Sequence, residues 1–399
     1  MIIRKKIKFI LILLLFLLLS GCLSRPKPQT GDFSGKVVDA YTQEPVPGVS
    51  MKISGLTITS DEDGKFSIAS LPPGDYQLVL ERDWYNQTIH AVHHIEKQNS
   101  LIFPIVPVPI NGKILYCSYR ESNWDIWELN LEDRSVNRLS SLPSNEIYPV
   151  KLPNRNLIFQ SDRGGQKYDL YLSSYENTNN IQTPLSCCTV NENDEHPSVD
   201  KTGTKMVFKS LAKSQIVYNY DITNGLCMDV GVTGYSPVIS PKGDRIAFAS
   251  GDYESLLVYS ISGSSITKSK EYDLYSQKGL RLNNPCWSPD GKKIAFDAWT
   301  TSGNKNIYTI EIADSKYPAD IKDGNIEQIT YRYRNKDAHE HPCWSSDGNL
   351  MFFVGTILYS SRKDIYCIKV DEGITLKEKA PWVMVTKDPG DKNYLTWSE

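Results

Sequence analysis

The sequence predicts an all-β protein in two parts, a small β-sandwich followed by a six-bladed β-propeller. Near the start, short apolar runs alternate with polar residues and end at Pro-Gly turns. In the rest of the chain, one sequence motif recurs at intervals of 40 to 57 residues. The 399-residue chain also holds 25 Gly, 22 Pro and 23 Tyr, a composition that is typical of strands joined by tight turns.

The charge balance excludes a nucleic-acid partner. The chain has 44 Lys and Arg residues against 47 Asp and Glu residues, a net charge of −3. A protein that neutralises many phosphates needs a positive excess. We therefore expect no nucleic acid among its partners.

The first 21 residues have the features of a signal peptide. Four basic residues precede an unbroken apolar run from Phe9 to Leu19. A charged segment followed by an apolar segment is typical of signal peptides. An uncleaved transmembrane helix is the alternative, but this run is too short for the ~20 residues that a membrane span needs. Cleavage would leave 40 basic against 47 acidic residues, a net charge of −7.

The leader ends in Leu19-Ser20-Gly21-Cys22, which resembles the lipobox of bacterial lipoproteins. The resemblance implies that Cys22 carries a diacylglycerol and anchors the protein to a membrane of the cell envelope. Residues 22–30 contain two prolines and no apolar periodicity, so we expect a semi-extended tether. No Asp follows Cys22, which in lipoproteins of two-membraned bacteria favours the outer membrane.

The cysteines do not form a complete disulfide framework. Acylation of Cys22 would leave seven of the eight cysteines, an odd number. None has the C-x-x-C spacing of a zinc site. We expect most of them to be buried as small apolar side chains, and whether any two form a disulfide stays open.

Residues 31–105 are predicted to form the sandwich. Short runs with a period of two are separated by turns such as Pro45-Val46-Pro47-Gly48 and Leu71-Pro72-Pro73-Gly74. Together with Asp61-Glu62-Asp63-Gly64-Lys65-Phe66, these motifs resemble the carboxypeptidase regulatory-like domain. The resemblance implies a transthyretin-like, or prealbumin-like, sandwich that serves as a spacer or adhesive module, without catalysis.

Two clusters in this part invite a metal-site interpretation. Asp61, Glu62 and Asp63 could be calcium ligands, but an acidic β-turn explains them more simply. His90 and His94 would share one strand face ~13 Å apart, too far for one metal ion. We predict no metal site here.

Residues 110–399 contain six copies of one repeat. The clearest copy runs from Pro285-Cys286-Trp287-Ser288-Pro289-Asp290-Gly291 to Phe296, and weaker copies begin near His341, Ser236, His196, Tyr148 and Gly112. Each copy has an anchor aromatic, and these residues are Tyr116, Phe159, Phe208, Phe248, Phe296 and Phe353. A repeat of this length indicates stacked propeller blades.

The repeat resembles that of TolB-like and WD-repeat-like propellers, which implies a four-stranded antiparallel sheet per copy. The first copy lacks a preceding Pro-x-Trp-Ser strand, whereas Leu395-Thr396-Trp397-Ser398 lies at the end of the sequence. We therefore expect this terminal segment to pair with the first blade and to close the ring.

No motif of a common enzyme class is present. The sequence has no G-x-S-x-G elbow, no phosphate-binding glycine loop and no H-E-x-x-H pair, and we expect no helical stretch after the leader. We predict no catalytic residues and no cofactor.

The candidate binding residues are Glu195, His196, Glu340 and His341. Each Glu-His pair precedes the blade proline, so both pairs should lie near the mouth of the central channel and contact a partner. The TolB-like resemblance implies a protein partner. Two alternatives stay open: a metal-dependent polysaccharide lyase at these histidines, and carbohydrate binding by aromatic residues such as Trp124, Trp127, Trp299 and Tyr333.

Overall fold

The computed structural model of the chain divides into two units, Met1–Val108 and Pro109–Glu399. The described residues are 30–95, 100–163, 165, 167–176, 178, 184–185, 193–211, 215–263, 265–312, 325–331, 338–356, 362–377 and 380–398. Cys22, the leader and all but the last residue of the tether lie outside them. No helix in these ranges is long and apolar enough to cross a membrane.

The first unit is a β-sandwich of two sheets. One sheet has the strand order β3-β2-β5-β6 and the other β4-β1-β7. The strands are β1 Gly31–Asp39, β2 Ser50–Ile53, β3 Leu56–Thr59, β4 Lys65–Leu71, β5 Gly74–Glu81, β6 Thr88–His94 and β7 Leu101–Ile105. The predicted sandwich is confirmed.

Alternation of apolar and polar residues produces the sandwich core. In β4, Phe66, Ile68 and Leu71 are buried while the residues between them are exposed. The rings of Phe33 and Phe103 pack with Phe66, with centroids 5.7 to 6.1 Å apart. One face of each sheet thus supplies the apolar interior.

The acidic segment before β4 is a turn. The Asp61 carboxylate accepts hydrogen bonds from the backbone N–H groups of Asp63 and Lys65 at 3.0 and 2.7 Å. Gly64 adopts a φ of +71°, and a Cβ there would lie 2.5 Å from the carbonyl oxygen of Val37. The turn therefore requires glycine at this position.

The second unit contains six antiparallel sheets in the described residues, one per repeat. Blade one comprises β8 Lys113–Arg120, β9 Asn123–Asn130, β10 Val136–Arg138 and β30 Asp391–Ser398. Blade two comprises β11 Glu146–Lys151, β12 Asn156–Ser161 and β13 Asp169–Ser174. Blade three comprises β14 Asp194–Val199, β15 Met206–Ser210, β16 Gln215–Asp221 and β17 Leu226–Asp229.

The other three blades have four strands each. Blade four comprises β18 Tyr235–Ile239, β19 Arg245–Ala249, β20 Ser255–Ser262 and β21 Ser265–Asp273. Blade five comprises β22 Leu280–Trp287, β23 Lys293–Thr300, β24 Lys305–Glu311 and β25 Ile326–Gln328. Blade six comprises β26 His339–Trp344, β27 Leu350–Gly355, β28 Asp364–Lys369 and β29 Trp382–Met384.

The innermost strands form a closed ring around the axis. Each of β11, β14, β18, β22, β26 and β30 packs against the next, and β30 returns to β11. In blade one this position belongs to β30, which pairs antiparallel with β8 and places Trp397 opposite Ile114. The predicted closure by the terminal segment is confirmed.

The repeat phrase has two structural roles. All six anchor aromatics lie in the second strand of their blade and are at most 1% exposed. The tryptophans link neighbouring blades: the Trp287 indole donates to the carbonyl of Val238, and the Trp344 indole donates to that of Cys286, each at 3.3 Å. The Cys286 thiol donates to the carbonyl of Pro342 at 3.1 Å.

Serine and aspartate shape the hairpin after the innermost strand in blades five and six. In blade five, the Ser288 hydroxyl accepts from the N–H of Lys293 at 2.9 Å and donates to Asp290 at 2.6 Å. Blade six repeats the arrangement with Ser345 and Asp347. We call the end of the propeller formed by residues 152–155, 200–205, 240–244, 288–292 and 345–349 the hairpin face.

Two short helices contradict the expectation that no helix follows the leader. Helix α1 spans Leu274–Lys278, with Asp273 accepting from the N–H of Ser276 and Gly279 ending the helix at a φ of 65°. Helix α2 spans Val370–Leu376. Helix α1 connects blades four and five, where Asp273 and Gly279 cap its two ends. Helix α2 connects β28 and β29 of blade six and has no side-chain hydrogen bond at its N-cap.

Candidate functional site

Each innermost strand has one residue in the left-handed backbone region, at the same repeat position. These residues have φ values from 44° to 55° and are Tyr148, His196, Ser236, Asn284, His341 and Tyr394. The pairing with the second strand shifts register at each one, as in a β-bulge. Such a backbone costs roughly 1–3 kcal/mol for a residue other than glycine. Its presence in all six blades makes this level of the channel the candidate site.

The side chains of these six residues form what we call the axial ring. The ring centroids of Tyr148 and Tyr394 are 4.0 Å apart. His196 lies 4.2 Å from Tyr148, and His341 lies 4.9 Å from Tyr394. Ser236 supplies a small polar side chain from blade four. The axial ring is therefore aromatic on one side and polar on the other.

A cavity of about 910 Å³ extends from the axial ring to the hairpin face. Its floor is the axial ring, because no described residue that precedes the ring in an innermost strand lines the cavity. Its walls are the prolines after the ring residues and three tryptophans, Trp287, Trp344 and Trp397. At the mouth, Arg155, Lys201 and other hairpin residues are exposed. This is the size of a small-ligand or peptide pocket.

The two histidines in the floor are neutral at physiological pH. Burial, together with the nearby Lys209 ammonium, lowers the pKa of His196 to about 4. Burial lowers the pKa of His341 to about 3. The Nδ1 atom of His196 is buried without a hydrogen-bond partner among the described residues. The floor thus offers uncharged polar groups to a ligand.

The two predicted glutamates precede the axial ring and do not line the cavity. Glu340 pairs with Lys305 at 3.0 Å and with Lys363. Burial acts to raise the pKa of Glu340, but the two ammonium groups lower it to about 2. Burial raises the pKa of Glu195, which lies opposite Lys209 in the strand pairing. The structure therefore separates each Glu from its neighbouring His.

Lys305 joins blades five and six through this ion-pair group. Its ammonium contacts the buried carboxylate of Asp297 at 2.6 Å and Glu340 at 3.0 Å. Burial acts to lower the pKa of Lys305, but the two carboxylates raise it overall. The group stabilises the innermost strand of blade six against its neighbour.

The aromatic residues considered for sugar binding have different environments. Trp124 packs between Tyr119 and Tyr394. Trp127 lies under the Arg120 guanidinium at 3.6 Å. Trp299 is 38% exposed, with the Lys305 ammonium 4.0 Å from its ring centroid.

Tyr333 lies outside the described residues. Within the described ranges, no three His, Cys, Asp or Glu side chains are grouped closely enough to hold a metal ion.

Sequence reasoning missed four of the six axial-ring residues, namely Tyr148, Ser236, Asn284 and Tyr394. The histidines were identified because imidazole is a common acid, base and metal ligand, whereas tyrosine, serine and asparagine at the same repeat position were read as ordinary strand residues. The available signal was the residue before the blade proline, which is an axial-ring residue in five blades. Tyr394 precedes a leucine instead.

The described residues define a class of protein: a β-sandwich joined in one chain to a closed six-bladed propeller with an axial cavity. Comparison with known proteins gives a family-model match for the first part and a fold likeness for the second. Residues 32–101 match the model of the carboxypeptidase regulatory-like domain. No curated protein matches the chain.

Among solved structures, TolB from Acinetobacter baumannii is similar at 14% identity with a TM-score of 0.56, over 82% of this chain and 80% of that one. A protein from Agrobacterium tumefaciens described as a TolB is 15% identical with a TM-score of 0.49, over 72% of this chain and 99% of that one. An oligogalacturonate lyase from Vibrio parahaemolyticus is 16% identical with a TM-score of 0.44, over 69% and 74% of the two chains. The first likeness establishes the fold of the second unit as a TolB-like propeller.

Proposed function

We propose that this protein is a noncatalytic, lipid-anchored protein of the bacterial cell envelope whose propeller captures a protein partner. The observation that carries the proposal is the cavity on the hairpin face, with its apolar walls and uncharged floor. Such a pocket is suited to enclosing a segment of polypeptide. The lipobox-like sequence at Cys22 supports anchoring, and the absence of an Asp after it favours the outer membrane.

The cavity has the features of a binding site rather than a reaction centre. The buried carboxylate of Asp297 and the carboxylate of Glu340 are engaged by lysines. The histidines of the floor stay neutral and lie on the innermost strands of blades three and six. Within the described lining, no carboxylate lies at the level of the axial ring to act as an acid or base partner of these histidines.

Site-specific photo-crosslinking tests this proposal in the native cell. A photoreactive phenylalanine analogue replaces Ser346, an exposed residue of the cavity mouth, in the full-length lipoprotein. We expect one protein to be crosslinked and identified by mass spectrometry. The matched control places the analogue at Ser265, an exposed residue at the start of β21 outside the cavity lining. The same crosslinks from both positions, or none from Ser346, would contradict partner capture at the cavity.

Trp299 favours carbohydrate binding as a second candidate function. Its indole is exposed, and an exposed aromatic ring can stack on the apolar face of a sugar. A glycan array probed with the soluble chain should then give signals that Trp299→Ala abolishes. Signals that persist in that variant, or an array without signal, would remove this candidate.

A further inference from the structure

Two exposed aromatic side chains flank an ion pair on blade five and on the connection that precedes it. Tyr275 in α1 and Trp299 near the end of β23 are each 38% exposed. The Arg281 guanidinium lies 5.1 Å from the ring centroid of Tyr275, and Arg281 is the cross-strand partner of Trp299. Cross-strand partners project from the same face of a sheet. The three side chains therefore form one row, which together with Glu254 we call the aromatic strip.

Both rings of the aromatic strip are held in place by the surrounding protein. The backbone N–H groups of Leu274 and Tyr275 donate to the carbonyl of Glu254 at 2.9 and 3.1 Å. The Lys305 ammonium lies over one face of the Trp299 indole, 4.0 Å from the ring centroid. The exposed area of this indole is therefore mainly on its other face and its edge. A ligand that covers two fixed rings removes little side-chain freedom.

The charges of the aromatic strip cancel within it. One carboxylate oxygen of Glu254 accepts from Nη2 and Nε of Arg281 at 2.7 and 3.3 Å. Both side chains are still partly exposed, and a guanidinium has more N–H donors than this pair uses. The row thus presents donors and a carboxylate between its two rings, without a net charge.

The neighbours of the aromatic strip are mainly polar. Hydroxyl and amide side chains flank the two rings along the chain, namely Ser276, Gln277, Thr301, Ser302 and Asn304. A protein interface buries a core of contiguous apolar side chains. Two rings separated by an ion pair do not supply such a core. They do supply stacking surfaces with hydrogen-bonding groups between them, an arrangement suited to a sugar chain.

The aromatic strip lies at the end of blade five that is remote from the cavity. Arg281 pairs with Trp299 at one end of the β22–β23 ladder, whereas Trp287 pairs with Ile294 at the other end, beside the hairpin face. The described cavity lining contains no residue of the aromatic strip. A ligand bound to the aromatic strip would therefore leave the cavity free for a protein partner.

We propose that the aromatic strip binds a neutral oligosaccharide chain. The sugar rings stack on Tyr275 and Trp299, and their hydroxyl groups hydrogen-bond to Arg281 and Glu254. A neutral sugar is favoured over an acidic one because a sugar carboxylate would lie beside Glu254, whose partner Arg281 is already engaged. This inference rests on the second candidate function, carbohydrate binding at Trp299. It adds a second stacking ring, the polar pair between the rings and the class of sugar.

Isothermal titration calorimetry of the full soluble chain tests the inference. The neutral probes are cellohexaose, maltohexaose and chitohexaose, and the acidic probe is hexagalacturonic acid. We expect at least one neutral probe to bind at least tenfold more tightly than the acidic probe. Its affinity should fall at least tenfold in Tyr275→Ala and in Trp299→Ala. Tyr119→Ala is the matched control, because Tyr119 is an exposed aromatic residue at the equivalent position of the second strand in blade one, and its affinity should stay within twofold.

Other results would overturn the inference. Tighter binding of hexagalacturonic acid, no binding of the three neutral probes, or an equal loss in Tyr119→Ala would each refute it. Tyr275→Ala changes a surface helix, so this variant decides the matter if Trp299→Ala lowers the unfolding midpoint. A photoreactive residue at Ser302 that crosslinks a protein in the cell would make the aromatic strip a protein-docking surface instead.

The measurements separate this inference from the proposed function. Array signals that Trp299→Ala abolishes and Tyr275→Ala leaves unchanged would sink the inference while the second candidate function stands. Crosslinking at Ser346 tests partner capture at the cavity, and its outcome does not depend on sugar binding at the aromatic strip.

Discussion

Removal of the residues after Tyr394 should open the propeller. The truncation deletes the half of β30 that pairs Thr396, Trp397 and Ser398 with Leu115, Ile114 and Lys113 of β8. The innermost position of blade one would then be half empty. The edges of blades two and six that face it would lose their neighbour.

The structure gives the magnitude of this loss. Three cross-strand pairs disappear, and each backbone hydrogen bond has a net value of ~1 kcal/mol. The indole of Trp397 packs on Phe352 at 5.8 Å and on Gly112, where a Cβ would come within 2.2 Å of its ring. Burial of an aromatic side chain is worth roughly 1.5–3 kcal/mol. We therefore expect a loss of about 4.5–6 kcal/mol, a large part of the roughly 5–15 kcal/mol typical of a domain.

Chemical denaturation of the full chain and of the truncated chain measures this difference. Gly112→Ala is an independent probe, because its Cβ would displace the same indole without shortening the chain. As a control, the whole β30 segment, residues 391–398, is removed from the C-terminus and inserted before Lys113 through a short turn. Ser398 and Lys113 are already cross-strand partners, so a short turn can join them. This rearranged chain should regain most of the lost stability. An unchanged unfolding midpoint in the truncated chain would refute the reasoning.

Three other predictions follow from the leader and the axial region. Replacement of Cys22 by serine should release the protein from membranes or leave it unprocessed. Mass spectrometry of the wild-type protein tests lipidation, which an unmodified Cys22 behind an intact leader would exclude. Because folding lowers the pKa of His196 and His341 to about 4 and 3, the unfolded chain binds more protons below pH 6.5, and stability should fall from pH 7 to pH 5 by up to ~2 kcal/mol per histidine. His341→Asn, which installs the residue of blade five, should reduce that fall in urea titrations, and an identical pH dependence would contradict it. Glu340→Gln should lower the free energy of unfolding by about 1–3 kcal/mol at neutral pH, because it leaves Lys305 with one carboxylate. The folded pKa of Glu340 is about 2. The stability that its ionisation provides is therefore present above its unfolded pKa and is lost as the pH falls toward 2.

The blades could be predicted from the sequence because their chemistry is local. The anchor aromatic, the hairpin serine and the apolar second strand of a blade all lie within one repeat of the sequence, as Phe296 and Ser288 illustrate in blade five. Closure by β30 could be predicted from a count of strands. The α1 helix was missed because five residues between Asp273 and Gly279 form no periodic pattern.

The floor of the cavity depends on convergence across the whole ring. Tyr148 and Tyr394 are far apart in sequence, yet their rings are 4.0 Å apart. Their left-handed backbone is not encoded by residue type, since neither is a glycine. The ion pairs of Glu340 in β26 likewise join it to Lys305 of β24 and to Lys363 just before β28. The sequence therefore placed Glu340 beside His341 but could not show that the bulge separates their side chains.

The left-handed residues of the innermost strands have a consequence for how any partner is held. An exposed strand edge usually invites another strand to extend the sheet by main-chain hydrogen bonds. Here a kinked residue interrupts each edge midway, and in five blades the following proline has no N–H group to donate. A segment that enters the channel therefore cannot become a further strand of a blade. It must be recognised through its side chains, which makes selectivity depend on the sequence of the partner rather than on its backbone.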